Sequence, residues 1–230
     1  AQRTEELRRE RAQFGPPTLP IVAMQEDAVT SSFLRIKSRV ATVLDVAVTF
    51  APTLEEATGD GVILQLPLPS GIDVDAARNR IPLDKDVDGL SDAAYSAFVA
   101  QTFPPPPVPR ALAYMLDAHQ VPVQGANVVV VGQGRLVGKP AAELMRQRGA
   151  RVTELRKGDD LRAHVSAADI LILGAGSPGL ITPDMISTNV VILDAGTSES
   201  GGVVVGDADP ACVEKARLCT PVPGGVGPFA

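Results

Sequence analysis

The chain is poor in aromatic residues, cysteine and positive charge. Its 230 residues include no tryptophan, 2 tyrosines and 6 phenylalanines. So sparse a set provides no stacking platform for nucleic-acid bases. The 21 Lys and Arg are outnumbered by 27 Asp and Glu, giving a net charge of -6. With no basic block, nucleic acid is not expected as a partner. Two cysteines, Cys212 and Cys219, are too few for a disulfide framework. They read as reduced thiols in a cytoplasmic protein. No apolar run approaches the roughly eighteen residues that suggest a membrane-spanning helix, so no membrane association is expected. The opening stretch carries Glu5, Glu6, Arg8, Arg9, Glu10 and Arg11 and lacks the apolar core of a secretion signal. No repeat at a fixed period is visible, and no metal site is read.

What is present is apolar: 45% of the residues are hydrophobic, enough for buried cores. The length suits two small domains. Apolar, strand-like runs occur at Leu19–Met24, Asp45–Phe50, Gly61–Leu66, Asn127–Val131, Arg151–Leu155, Asp169–Leu173, Val190–Asp194 and Leu218–Pro221. They are continuous rather than alternating, as in parallel strands covered on both faces. Helix-like stretches lie between them at Ser31–Thr42, Asp92–Ala100, Arg110–His119, Lys139–Arg148 and Pro210–Ala216. This alternation predicts an α/β fold with right-handed crossovers. Pro104–Pro107, followed by Pro109, reads as a stiff extended linker dividing residues 1–107 from 108–230.

In the second half, the strand Asn127–Val131 runs directly into Gly132-Gln-Gly-Arg-Leu-Val-Gly138, with Pro140 opening a helix. Glycines allow backbone to approach a phosphate, and a helix N-terminus faces the anion. Pro140 suits a first helical turn, where its missing N–H is not needed. The spacing is GxGxxxG rather than GxGxxG and also fits a plain glycine-rich turn. The next strand ends at Arg156 and Lys157, where such folds read the adenosine ribose. Basic residues there suit the 2′-phosphate of NADP, or form a solvated turn. Gly174-Ala-Gly-Ser-Pro-Gly179 and Asp194-Ala-Gly-Thr197 supply further small residues at strand ends, as expected of a ligand crevice.

Four segments resemble, in order, the signatures of the bifunctional methylenetetrahydrofolate dehydrogenase/cyclohydrolase family. They are Gly61-Val-Ile-Leu-Gln-Leu-Pro-Leu-Pro69, Lys85-Asp-Val-Asp-Gly-Leu90, Val131-Gly-Gln-Gly-Arg-Leu-Val-Gly-Lys-Pro140 and Thr220-Pro-Val-Pro-Gly-Gly-Val-Gly-Pro228. The resemblance implies an N-terminal α/β catalytic domain with a small parallel sheet and a C-terminal Rossmann-like NAD(P)-binding domain, with folate between them. It implies oxidation of 5,10-methylenetetrahydrofolate with NADP (NAD possible) and hydrolysis of the methenyl product to 10-formyltetrahydrofolate. A homodimer in one-carbon metabolism and purine biosynthesis is implied as well.

Residue by residue, the resemblance implies that Lys37 is catalytic, in a helix motif reading Phe33-Leu-Arg-Ile-Lys37. The i, i+4 spacing lets Phe33 and Lys37 address one ligand. Gln65 is expected to orient Lys37, and Asp88 to bind the amino-pyrimidine edge of the folate through two parallel hydrogen bonds. Asp86 is the weaker candidate. Phe33, Leu64, Leu66, Pro223, Gly224, Gly225, Val226 and Gly227 are expected to line the substrate site. The cofactor is expected to contact Gly132, Gln133, Gly134, Arg135, Val137, Gly138, Arg156, Lys157, Ala175, Gly176, Gly196 and Thr197.

The chain departs from the family pattern at several points. Phe33 stands for a tyrosine, and Pro106-Pro-Val-Pro-Arg-Ala111 replaces Pro-x-Thr-Pro-x-Gly. Gly132-Gln-Gly134 replaces Gly-Arg-Ser, and Arg156-Lys157 replaces His-Ser. The chain also reads as a shortened member, with a minimal connection after Phe50 and no final helix after Pro228. These departures leave open a member with one activity, or a non-catalytic dinucleotide- or folate-binding protein.

Overall fold

The structure, a computed structural model, describes residues 2–24, 28–200 and 203–230, without the side chains of residues 2, 3, 28–30, 32, 33, 199 and 200. It comprises two compact units, Ala1–Pro104 and Pro105–Ala230.

The first unit runs α1 (Gln2–Arg11), β1 (Thr18–Val22), α2 (Ala28–Val43), β2 (Ala47–Ala51), β3 (Ile63–Leu64), α3 (Val74–Arg78), a 3-10 turn at Leu83–Lys85, and α4 (Asp92–Val99). Its three strands are parallel, in the order β2-β1-β3. Ile21 and Val22 on the central strand are fully buried. Val22 joins Val62, Leu64, Leu68, Ala77, Ile81 and Leu90 in one core. The end of α2 is capped by arginines of α1. Arg8 Nε donates to the Val43 carbonyl at 2.8 Å, and Arg11 Nε to that of Asp45 at 3.0 Å. Such bonds satisfy carbonyls that a helix end leaves unpaired. The connection between β2 and β3 consists of turns without a helix.

The second unit runs α5 (Pro107–Ala118), β4 (Asn127–Val131), α6 (Gly138–Gln147), β5 (Arg151–Leu155), α7 (Leu161–Val165), β6 (Ile170–Leu173), β7 (Val191–Asp194), a hairpin of β8 (Ser198–Ser200) and β9 (Val203–Val205), a 3-10 turn at Pro210–Glu214, β10 (Leu218–Cys219) and a 3-10 turn at Gly227–Phe229. Its main sheet is parallel, in the order β10-β7-β6-β4-β5. All four residues of β6 are buried, and Leu171, Leu173, Val129, Val131 and Ile192 share a core with Leu155 and Val165. The chain goes from β4 to β5 on one side and crosses back to β6 on the other. The crevice of this sheet therefore lies at the carboxyl ends of β4 and β6, where the strand order reverses.

Several elements differ from the sequence expectation. Gly61–Leu66 yields only Ile63–Leu64 as a strand, with Val62 bridging to Asp86 and Gln65 just beyond. The proline run is not linker throughout: Pro107 begins α5, and Pro109 lies in its first turn. Proline is tolerated there because those N–H groups have no helical partner. The stretch Pro210–Ala216 forms no α-helix but a 3-10 turn at Pro210–Glu214, capped by Asp209.

Candidate active site

In the first unit the sheet edge, α2 and the loop after the 3-10 turn bring three of the expected residues together. Lys37 lies in α2, and its Nζ donates to Gln65 Oε1 at 2.9 Å. Gln65 is 7% exposed, so both ends of its amide need partners. Its Nε2 donates to the Leu66 carbonyl at 2.6 Å. That bond fixes which end of the carboxamide meets the lysine. Asp88 is half-buried, and burial raises its carboxyl above the ordinary value, opposed by the charge of Lys37 and reinforced by that of Asp86.

The two aspartates of the loop have different tasks. Asp86 is 1% exposed and accepts from the N–H groups of Leu90 (2.9 Å) and Ser91 (2.7 Å). It holds the turn, as a structural residue does. The loop is fastened to β3 by the Val62 N–H donating to the Lys85 carbonyl at 2.7 Å. At Gly61 a Cβ would lie 2.4 Å from Val87 Cγ1, so a side chain there would displace Val87. Phe33 belongs to α2, but its side chain lies outside the described residues. Leu64 is buried and Leu66 half-buried. An amine held by a neutral carboxamide, beside a carboxylate, can both anchor a polar ligand and move protons.

In the second unit the glycine loop lies in the crevice. Gly132 has φ +92°, and a Cβ there would lie 2.4 Å from the Gly174 carbonyl oxygen. At Gly138, the first residue of α6, a Cβ would lie 1.8 Å from the Gly132 carbonyl oxygen. The loops after β4 and β6 thus approach backbone to backbone. Val137 packs on the same point, within 2.6 Å of a Cβ at Gly174. Gly134 has open space where a side chain would stand. Both polar atoms of the Gln133 side chain are buried with no hydrogen-bond partner among the described residues. Arg135 is half-buried. The Gly132 N–H donates to the Leu155 carbonyl at 3.0 Å, setting this loop beside the end of β5. Arg156 and Lys157 follow there, both exposed. Glu154 is engaged by Arg146 of α6.

The loops after β6 and β7 rest on acidic groups that the sequence reading missed. Asp207, fully buried, accepts from Ala175 N–H (2.6 Å), Gly176 N–H (3.1 Å) and Ser177 N–H (2.6 Å). Gly196 lies against it: a Cβ there would be 2.3 Å from Asp207 Cγ. Asp194, also buried, accepts from Gly196 N–H and Ala208 N–H, both at 2.9 Å, while its own N–H donates to Thr220 Oγ1 at 2.8 Å. Burial pushes the Asp194 carboxyl up. The sequence signal was an aspartate closing an apolar strand, but nothing local pointed to Asp207. Thr197 is exposed. In the last loop Pro223 is exposed, Gly224 has φ +99° and open space, Gly225 and Val226 are buried, and Gly227 is open.

The crevice at the reversal of strand order, the backbone cradle and the unpartnered Gln133 carboxamide fit a nicotinamide dinucleotide. These features define an α/β dinucleotide-binding protein that also carries an amine–carboxamide–carboxylate cluster. Residues 106–230 match the model of the tetrahydrofolate dehydrogenase/cyclohydrolase NAD(P)-binding domain. The chain is 33% identical to the bifunctional protein FolD of Caldanaerobacter subterraneus subsp. tengcongensis, over 97% of this chain and 87% of that protein. The chain belongs to the tetrahydrofolate dehydrogenase/cyclohydrolase family. Its structure is similar to that of the bifunctional FolD dehydrogenase/cyclohydrolase of Campylobacter jejuni, with TM-score 0.90, 26% identity, and 98% and 89% of the two chains covered. It is also similar to the Trypanosoma brucei enzyme solved with NADP and an inhibitor, with TM-score 0.87, 28% identity, and 98% and 88% covered. Among the described residues no helix is long and apolar enough to cross a membrane.

Proposed function

We propose that the chain oxidises 5,10-methylenetetrahydrofolate to the methenyl form with NADP and hydrolyses that product to 10-formyltetrahydrofolate. The observation that carries this reading is the 2.9 Å bond from Lys37 Nζ to Gln65 Oε1 beside the half-buried Asp88. Residues 1–107 are assigned to the folate-binding catalytic domain and 108–230 to the dinucleotide domain.

Asp88, when ionised, accepts two parallel hydrogen bonds from the amino-pyrimidine edge of the substrate. Gln65 holds the Lys37 amine in one direction, its own amide locked by the Leu66 carbonyl. In the hydrolytic step water attacks the methenyl carbon, and the Lys37 amine moves the protons. Leu64, Leu66, Phe33 and the segment Pro223–Gly227 are assigned to the walls of the folate site.

NADP, when bound, supplies the hydride acceptor. Gly132, Gln133, Gly134, Arg135, Val137 and Gly138 would hold it, with Ala175, Gly176, Gly196 and Thr197 from the neighbouring loops. Arg156 and Lys157 are assigned to the 2′-phosphate. The contribution of these residues to oxidation is alignment of donor and acceptor rather than proton transfer. A homodimer in the cytoplasm, serving purine biosynthesis, completes the reading.

The test mixes the purified chain with methylenetetrahydrofolate and NADP and follows the absorbance of reduced cofactor and of the methenyl product. Reduced cofactor with 10-formyl product is expected. Accumulating methenyl product would restrict the chain to dehydrogenation. No reduction of either NADP or NAD would overturn the dehydrogenase assignment.

A further inference from the structure

Asp88 is aimed by its backbone. Among the described residues no hydrogen bond reaches its carboxylate, which sits half-buried with the charges of Lys37 and Asp86 close by. Its direction is therefore set by the turn in which it stands. Asp86 holds that turn through the N–H groups of Leu90 and Ser91. Arg78, on α3, holds its far end. The Arg78 side chain is 11% exposed. Its Nη1 donates to the Leu90 carbonyl at 3.0 Å and to Asp92 Oδ1 at 2.7 Å, and its Nε to Asp75 Oδ1 at 2.8 Å. Asp92, the first residue of α4, is fixed in turn by Asn79. Asn79 Nδ2 donates to Asp92 Oδ2, and the Asp92 N–H donates to Asn79 Oδ1, both at 2.8 Å. One planar guanidinium thus joins α3, the turn and the start of α4. Leu90, buried and two residues beyond Asp88, is gripped at both of its backbone groups.

Resting on the assignment of Asp88 to the folate, we infer that Arg78 is a positioning residue for substrate binding: it fixes the turn from Asp86 to Ser91 and so aims the Asp88 carboxylate at the amino-pyrimidine edge. Two parallel hydrogen bonds require a carboxylate held in one plane. A turn that wanders must be ordered at the moment of binding, and that ordering subtracts from affinity. A looser turn also admits water to Asp88, which brings its carboxyl down toward the ordinary value. Lys37 and Gln65 are held by separate bonds, so the chemical step does not depend on Arg78. Loss of Arg78 therefore removes binding that ground state and transition state share, which raises KM and leaves kcat in place.

The test measures kcat and KM for methenyltetrahydrofolate hydrolysis by the full chain across pH, in the wild type and in variants. Arg78→Met is expected to raise KM about fivefold with kcat within about twofold. The midpoint of its KM profile is expected to move to lower pH, because Asp88 ionises more readily once hydrated. Asp75→Ala removes only the exposed partner of Arg78 and spares the bonds to Leu90 and Asp92; it is expected to change neither KM nor the midpoint. A raised KM with an unmoved midpoint in Arg78→Met would make its role merely structural and overturn the inference. So would an equal effect of Asp75→Ala. If Asp88→Asn raises KM while Arg78→Met changes nothing, the inference falls and the assignment of Asp88 stands. If Asp88→Asn leaves KM unchanged, that assignment falls and the inference with it. Should Arg78→Met fail to fold, Arg78→Lys decides: it keeps the cation without the planar fork, and a smaller shift of both quantities in the same directions is expected, with no shift overturning the inference.

Discussion

Lys37 takes its meaning from its partners. A lysine in a helix is ordinarily a solvated charge, but here its nitrogen is bonded to a buried glutamine that is itself anchored at the other end. Gln65→Leu keeps the volume and removes the acceptor. It is expected to lower kcat for hydrolysis about tenfold with little effect on KM, measured on methenyltetrahydrofolate directly. On the proposed reading, Asp88 carries the pH dependence of folate binding. Burial raises its carboxyl, with the Lys37 charge opposing. Its neutral form is favoured in the free fold, so its contribution to stability is complete below the unfolded value and is lost as pH rises through the raised one. Folate binding has the opposite sign, because the ionised group is the acceptor. KM is expected to fall as pH rises through a point above the ordinary carboxylate value, and Asp88→Asn is expected to flatten that profile and raise KM about tenfold or more.

At the level of elements, the cofactor crevice depends on backbone packing that only glycine permits. Gly138→Ala places a methyl group 1.8 Å from a backbone oxygen. The strain is expected to cost about 1–3 kcal/mol and lower Tm by about 2–10 °C, read by thermal denaturation, with dinucleotide affinity falling alongside. Asp207→Ala strips three part-buried N–H groups of their acceptor. A loss of about 3 kcal/mol or more is expected, together with faster hydrogen exchange confined to residues 175–177. The elements that could be read from the sequence were those with a strong local signal. Asn127–Val131 is a run of valines and Arg151–Leu155 holds the β-branched pair Val152 and Thr153, and their bounds agree with the strands formed. The five-residue helices α3 and α7 are too short to show a helical period. The hairpin of β8 and β9 has no alternating apolar face, and β3 shrank because Val62 pairs with the loop at Asp86 instead of extending the strand. Asp207 was invisible because its partners lie some thirty residues away in sequence. Lys37, Gln65 and Asp88 were legible only through the motifs that surround them, since helical or strand spacing alone does not bring them together.

For the molecule as a whole, one chain is assigned two consecutive reactions. The amine cluster belongs to Ala1–Pro104 and the dinucleotide crevice to Pro105–Ala230. A change confined to Lys37 should therefore separate the two activities. Lys37→Ala, assayed with methylenetetrahydrofolate and NADP under conditions where the wild type forms 10-formyltetrahydrofolate, is the most direct measurement. The account predicts continued appearance of reduced cofactor with accumulation of the methenyl compound, its hydrolysis reduced at least a hundredfold. Undiminished formation of 10-formyltetrahydrofolate by that variant would contradict it.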